Sequence, residues 1–270
     1  MRVKITARTR QPAEFPFNYQ YALHSVIYRL IEKSSPDYSD YLHNRGFSGQ
    51  TGLKRFKLFT FSKIHFGAVK VTKSGFSRVR EFSFIFSTPV EPSFEHLILG
   101  LFADQTFHFN FSGKRIDCII TRVETLPDPG ITGESRFLCL SPIAVSTKRE
   151  KEGGGLEQHY LDYMNPKERE RFTRNIRQNL IRKYEAVWKT PYPEPDRNFQ
   201  FRFDIDYIAK RQGKISKLIH FKKINSHTRT KIKAFEAPFI IKADPGLIRI
   251  GYEAGFGNGN AAGFGCVQHL

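Results

Sequence analysis

The 270-residue chain reads as an α+β protein made of two tandem ferredoxin-like (RRM-like) domains. Three observations carry that reading. The order strand, helix, strand, strand, helix, strand occurs twice, which is the split βαβ pattern. A stretch dense in Pro and Gly, Leu126-Pro-Asp-Pro-Gly-Ile-Thr-Gly-Glu-Ser135, separates the two occurrences. A length of 270 residues, with 40% hydrophobic content and 26 Phe, suits two cores of ordinary size. The expected division is 1–125 for the first domain, 126–135 for the linker and 136–270 for the second domain.

Each element has its own local reason. Arg2–Arg8 alternates apolar and polar side chains, as a half-buried strand does. Tyr19–Lys33 is a helix, because Tyr19, Leu23, Val26, Ile27 and Leu30 share one stripe at about 100° per residue. Ser35 offers an N-cap and Pro36 a first helical position for a short second helix, with Gly46 just past its end. Strands follow around Lys57–Phe66, Ala68–Lys73 and Arg80–Ser87, then a helix over Ser93–Ala103, then strands Gln105–Phe111 and Arg115–Glu124. Beyond the linker, Arg136–Thr147 reads as a strand. Pro166–Trp188 reads as a long helix, opened by Asn165 and Glu168 in a capping-box-like pair. Phe199–Ile208, Lys214–Lys222 and Lys231–Lys242 alternate like strands. An apolar turn at Leu247–Tyr252 then leads to Gly255-Phe-Gly257, five residues, and Gly263-Phe-Gly265.

Charge narrows the partner. There are 43 Lys+Arg against 26 Asp+Glu, a formal net charge of +17, which concentrates polyanions around the protein. Nucleic acid leads, with a basic surface protein of a membrane or ribosome as the plain alternative. From Tyr207 to Phe235 the basic residues are Lys210, Arg211, Lys214, Lys217, Lys222, Lys223, Arg229, Lys231 and Lys233, and there is no acid. Ile215, Leu218, Ile219 and Phe221 interleave with them, so one face of a hairpin can pack while the other meets phosphates. The long helix adds Lys167, Arg169, Arg171, Arg174, Arg177, Arg182 and Lys183, part of it ordinary pairing with Glu168, Glu170 and Glu185. No apolar run reaches the roughly 20 residues of a membrane span. The first residues read as a strand, not as a signal peptide. Three widely spaced cysteines suit neither disulfides nor zinc. A reduced, cytoplasmic protein is expected.

The closing loop has two candidate roles. Glycine tolerates positive φ and close backbone approach, and exposed amides can form an anion-binding concavity. Gly255, Gly257, Asn258, Asn260, Gly263 and Gly265 are therefore candidate phosphate contacts. The other role is a turn into a final strand, Phe264–Val267. A dinucleotide-binding fingerprint is excluded, because it needs a long helix and a strand after the glycines.

Two polar side chains stand where chemistry could use them. Tyr28 lies about 140° from the centre of its helix's apolar stripe. His43 sits in the last turn before Gly46, where the helix dipole favours an imidazolium. Lys54, Arg55 and Lys57 follow. A tyrosine, a histidine and a lysine can together move protons and steady charge on a phosphodiester. Against this, a histidine near a helix end often only caps or is solvated, and His24 competes from one turn before Tyr28. No acids and histidines have metal-site spacing, so no metal or cofactor is expected.

Several segments then carry a family likeness: Asn18-Tyr-Gln-Tyr-Ala-Leu-His-Ser-Val-Ile-Tyr28, Tyr41-Leu-His43, Lys57-Leu-Phe-Thr-Phe-Ser62, Leu140-Ser-Pro-Ile-Ala-Val145 and Ile250-Gly-Tyr-Glu-Ala-Gly-Phe-Gly257. With the doubled glycine loop, they run in order nearly end to end. The chain resembles the CRISPR-associated endoribonucleases that cut precursor CRISPR RNA within its repeats, members of the RAMP superfamily. The resemblance implies two ferredoxin-like domains and metal-independent cleavage by the RNA's own 2′-hydroxyl, leaving a 2′,3′-cyclic phosphate and a 5′-hydroxyl. It implies a catalytic Tyr28, His43 and Lys57, with His43 protonating the leaving oxygen, Tyr28 positioning or activating the 2′-hydroxyl and Lys57 neutralising the phosphorane. The Tyr28 and His43 roles can be exchanged. Two departures stand out. The stretch between His43 and Lys57 is longer than usual, leaving Lys54 and Arg55 as rival cations, and the five residues inside the loop include no Lys or Arg. The alternatives are a non-catalytic RAMP-type subunit holding crRNA in an effector complex, and a general RRM-like RNA binder. A homodimer through Tyr21 and Tyr28 is also open.

Overall fold

The computed structural model describes residues 1–49, 54–111, 113–150, 154–193, 198–222 and 229–270. The first half runs β1 (Arg2–Pro16), α1 (Gln20–Ser34) and α2 (Pro36–Asp40), the last continued by a π-helical turn over Tyr41–Arg45. The short pairs β2 (Phe47–Ser48), β3 (Arg55–Phe56), β4 (Thr60–Phe61), β5 (His65–Phe66) and β6 (Lys70–Val71) come next. They are followed by β7 (Gly75–Ser87), α3 (Glu91–Asp104), β8 (Thr106–Phe111) and β9 (Lys114–Thr125). The sheet order is β4-β7-β1-β9-β8, with β1 antiparallel to both β7 and β9. That is the ferredoxin-like order with β8 added at one edge.

The second half runs β10 (Glu134–Cys139), β11 (Ser146–Glu150), β12 (Leu156–Tyr160), α4 (Pro166–Trp188), β13 (Gln200–Phe203) and α5 (Ile205–Lys210). Then come β14 (Ser216–Lys222), β15 (Arg229–Phe235), β16 (Phe239–Lys242), α6 (Pro245–Ala254) and β17 (Val267–His269). Its sheet, β13-β16-β10-β17, is antiparallel throughout and repeats the ferredoxin-like order, with the hairpins β11–β12 and β14–β15 as insertions.

Phenylalanine builds both cores. Phe82, Phe84 and Phe86 alternate along β7 and are buried with Phe15, Phe61, Phe109 and the α1 stripe Leu23, Val26, Ile27 and Leu30. Phe137, Phe172, Phe203, Phe235 and Phe239 do the same in the second half. α3 lies on α1 at Gly100, where an added Cβ would fall 1.8 Å from the Leu30 carbonyl oxygen. Because the neighbour is backbone, it cannot swing aside. Gly100→Ala is therefore expected to cost about 1–3 kcal/mol or more, read as a lower midpoint in urea with unchanged slope.

Five expected elements come out differently. Lys57–Phe66 is broken into the short strands β4 and β5. Arg136–Thr147 is not one strand, because Pro142 cannot donate to a ladder and the chain turns after Cys139 into the separate β11–β12 hairpin. Phe199–Ile208 splits at Asp204, whose side chain accepts from the Tyr207 amide and caps α5. Lys231–Lys242 breaks around Pro238, leaving β15 in the basic hairpin and β16 in the main sheet. Leu247–Tyr252 is not a turn but the body of α6. Asp244 caps it by accepting from the Gly246 and Leu247 amides, and Pro245 stands in its first turn.

The halves meet through main-chain and side-chain contacts around the final segment. Arg2, buried on β1, donates to the Val267 carbonyl and stacks over Tyr252 at 4.3 Å. Lys63 pairs with Glu236, and Ser87 Oγ donates to the Tyr252 carbonyl at 3.4 Å. No described helix is long and apolar enough to cross a membrane.

Candidate active site

Tyr28, His43 and Lys57 converge on one cleft of 340 Å³, walled on its far side by the glycine-rich loop. Each is held by local structure. Tyr28 leaves the buried face of α1 and is half-buried against Phe59, with ring centroids 5.8 Å apart. The π-helical turn closes with the Gly46 amide donating to the Tyr41 carbonyl at 2.7 Å, a wider loop than an α-turn. It presents His43 to solvent with its ring edge-on to Tyr28, centroids 6.1 Å apart. Gly46, at φ 64°, leaves room for the Phe56 carbonyl and the Lys57 side chain, which a Cβ would meet at 2.6 and 3.4 Å. Lys57 Nζ then donates to the His43 carbonyl at 2.6 Å. Leu58, next in the chain, takes φ 54°, a strained setting for a side chain branched at Cγ.

The electrostatics are one-sided. Among the described residues lining the cleft there is no carboxylate, while Lys54, Arg55, Lys57 and Lys183 all reach it. Burial, with Arg182 nearby, brings the Lys54 ammonium down to about 8. Burial, with Arg55, lowers Lys57. Burial raises Tyr28 above its ordinary value, so the phenol stays protonated at neutral pH. Its hydroxyl has no hydrogen-bond partner among the described residues. His43 Nδ1 faces Asn44 Oδ1 at 3.3 Å, which leaves Nε2 for a ligand. The rival His24 is 4.7 Å from Tyr28, ring to ring, but its Nδ1 is engaged by the Ala261 carbonyl at 2.6 Å. Of the rival cations, Arg55 is exposed and donates to the Asn44 carbonyl, while Lys54 lies over the Phe56 ring. Lys57 is the cation tied to His43.

The loop differs from the expectation. Its glycines make room for the protein itself. A Cβ at Gly255 would strike the Asn260 amide at 2.4 Å, at Gly257 the Ala144 carbonyl at 2.4 Å, at Gly263 the Phe61 ring at 2.7 Å, and at Gly265 the Phe256 carbonyl at 2.0 Å. Asn260 is spent inside: its Nδ2 donates to the Phe256 and Phe264 carbonyls and its Oδ1 accepts from Lys183. Asn258 Oδ1 accepts from the Ser146 amide. The loop is thus a packed corner against α1, β4 and α4, and the Asn260 side chain is taken up internally.

Lys183 is the residue the sequence hid among helix-surface charges. It is 1% exposed, and its Nζ donates to the Gly255 carbonyl at 2.5 Å, the Gly257 carbonyl at 3.1 Å and Asn260 Oδ1 at 2.7 Å. The only signal in the chain is position: Lys183 continues the buried row Phe172, Ile176 and Leu180 at helical spacing.

The basic hairpin flanks this corner. Ile219 and Ile232 pack toward Ala262 and Phe264. Lys210, Arg211, Lys214, Lys217 and Lys231 are exposed and do not line the cleft. Lys233 pairs with Asp162 at 2.5 Å, so the run is less uniformly free than its composition suggests. Only the backbone of Lys222 and Arg229 is described, and Lys223 lies outside the described residues.

The family description "CRISPR associated protein Cas6, C-terminal" matches residues 126–269, more than half of the chain. The protein belongs to the Cas6 family. The N-terminal Cas6 description matches residues 14–117. The CRISPR-associated endoribonuclease Cas6 1 of Methanocaldococcus jannaschii is 29% identical over 274 residues, covering all of this chain and 93% of that one. A solved CRISPR associated protein Cas6 superposes with TM-score 0.73 at 27% identity, over 100% of this chain and 99% of the other. A solved Cas6-related protein of Pyrococcus furiosus gives TM-score 0.79 at 21% identity, over 100% and 98%, and shares the fold. This Cas6 chain therefore has two ferredoxin-like halves, with its candidate chemistry on α1, on the turn after α2, and on β3 and the residues that follow it.

Proposed function

We propose that this Cas6 protein cuts precursor CRISPR RNA within its repeats, without a metal ion, by attack of a 2′-hydroxyl on the neighbouring phosphate. The 2′-oxygen–phosphorus bond forms as the 2′-hydroxyl gives its proton to solvent water, the phosphorus–5′-oxygen bond breaks as that oxygen takes a proton from His43, and the products carry a 2′,3′-cyclic phosphate and a 5′-hydroxyl. The observation that carries this reading is the meeting of Tyr28, His43 and Lys57 at one cationic cleft, free of carboxylates among the described residues. His43, through Nε2, delivers the proton to the leaving 5′-oxygen, the usual work of an imidazole near neutral pH. Tyr28, kept protonated by burial, positions the reacting ribose as a neutral hydroxyl and does not act as the base. Lys57, with Lys54 behind it, offsets the charge that builds on the phosphorane.

The exposed lysines and arginines of the β14–β15 region, Lys210, Arg211, Lys214, Lys217 and Lys231, extend a positive surface beside the cleft for the rest of the repeat. The test is incubation with repeat RNA in EDTA. Site-specific cutting with cyclic-phosphate ends is expected, and a single 2′-deoxy substitution at the cut site is expected to abolish it. Tight binding without cutting would instead assign a crRNA-holding role within an effector complex.

A further inference from the structure

Beside the catalytic cleft lies a second groove of 770 Å³, between the β11–β12 hairpin and α4. Asn179, on α4, belongs to the walls of both. Its side chain is 4% exposed, and neither the amide nitrogen nor the amide oxygen has a partner among the described residues. Buried polar atoms are paired in the great majority of cases, so two orphans on one side chain mark a missing partner. The groove around it is positively charged. Lys54 and Arg182 approach it from the segment before β3 and from α4, and neither makes an ion pair among the described residues. The one carboxylate on the wall, Glu157, is held by Arg149 at 2.6 Å.

Resting on the RNA-cutting reading, we infer that this groove holds the nucleotide next to the scissile phosphate, with Asn179 reading its base. A primary amide presents one donor and one acceptor side by side. It matches a base edge on which a donor lies beside an acceptor, as adenine's amine and N7 do. Single-stranded RNA leaves such edges open, and side chains commonly read them. Arg182 takes the phosphate of that nucleotide. Asn179 is a specificity-determining residue here, while the reacting atoms stay with Tyr28, His43 and Lys57.

The experiment is a coupling cycle between residue and base. The probe is the repeat RNA of the protein's own CRISPR array, made uncleavable by a 2′-deoxy sugar at the cut and abasic at each flanking position in turn. Wild type is expected to lose about tenfold in affinity at one flanking position, and Asn179→Leu is expected to be indifferent there. The leucine removes an unpaired buried amide, so its unfolding midpoint should equal or exceed that of wild type. A base panel at the sensitive position, measured on wild type alone, should favour one base over the others by about tenfold, because a buried amide holds its donor and acceptor in fixed places. Equal penalties in both proteins at every position, or no base preference, would overturn the inference. If wild type still cuts unmodified repeat RNA in EDTA, only the Asn179 assignment falls. Absence of both cutting and binding would remove the function reading itself.

Discussion

Replacing His43 with alanine is expected to slow single-turnover cleavage of repeat RNA by roughly 10²–10⁴-fold, the range for loss of a positioned proton-transfer group. Binding should change little, because the imidazole is exposed and holds no charged partner in the described structure. The π-helical turn predicts a second feature. Gly46 carries the turn over Phe56 and Lys57, so Gly46→Ala should also slow cutting without removing any reacting group: a Cβ there would meet the Phe56 carbonyl at 2.6 Å. Lys57→Ala should lower the rate further below that of a merely shifted turn, because it takes away the cation tied to His43. A His43→Ala protein that cuts as fast as wild type would end the assignment.

Lys183→Met is expected to destabilise the fold by about 2–4 kcal/mol and to weaken RNA binding. Methionine keeps the buried stem but leaves the Gly255 and Gly257 carbonyls and Asn260 Oδ1 without their donor. Orphaned buried acceptors cost about 1–3 kcal/mol each, partly offset by no longer burying an amine beside Lys54. The loop it holds forms one wall of the cleft and engages His24, so its release reaches the RNA path. The pH dependence has a definite sign. Burial, then Lys54, lowers Lys183 well below its ordinary 10.5. Between that lowered value and 10.5 the unfolded chain binds a proton that the folded chain does not, so unfolding takes up a proton and raising the pH stabilises the fold. The wild-type advantage over Lys183→Met should therefore grow as pH rises within that window toward 10.5 in denaturant titrations. A variant as stable as wild type, with the same pH slope, would show that the loop does not depend on this amine.

Much of the fold was legible because its signals are local. The α1 stripe, the Ser35–Pro36 start, the Gly46 stop and the full span of α4 follow from periodicity and capping within a few residues. The elements misread were those whose type depends on a distant partner or on one cap. β13 and α5 share an alternating apolar pattern, and only the Asp204 cap divides them. α6 hid behind Asp244-Pro245-Gly246, which reads equally as a turn. Tyr28 and His43 were visible as side chains off the apolar face, but the direction of the tyrosine's shift was not. A surface tyrosine among cations would be lowered; this one is raised, because Phe59 and its surroundings bury it.

By itself the sequence determined two ferredoxin-like halves and a strongly basic protein, since both are written in spacing and charge along the chain, and its family likeness singled out Tyr28, His43 and Lys57 as candidates. Only the tertiary structure decided how the glycine loop packs. Close approach at Gly255, Gly257, Gly263 and Gly265 is made to the protein's own backbone and rings, and a buried lysine from a helix some seventy residues earlier holds the loop shut. That outcome depends on which groups share a buried volume and compete for its hydrogen bonds. The same competition leaves the Asn179 amide unpaired among the described residues, between two grooves.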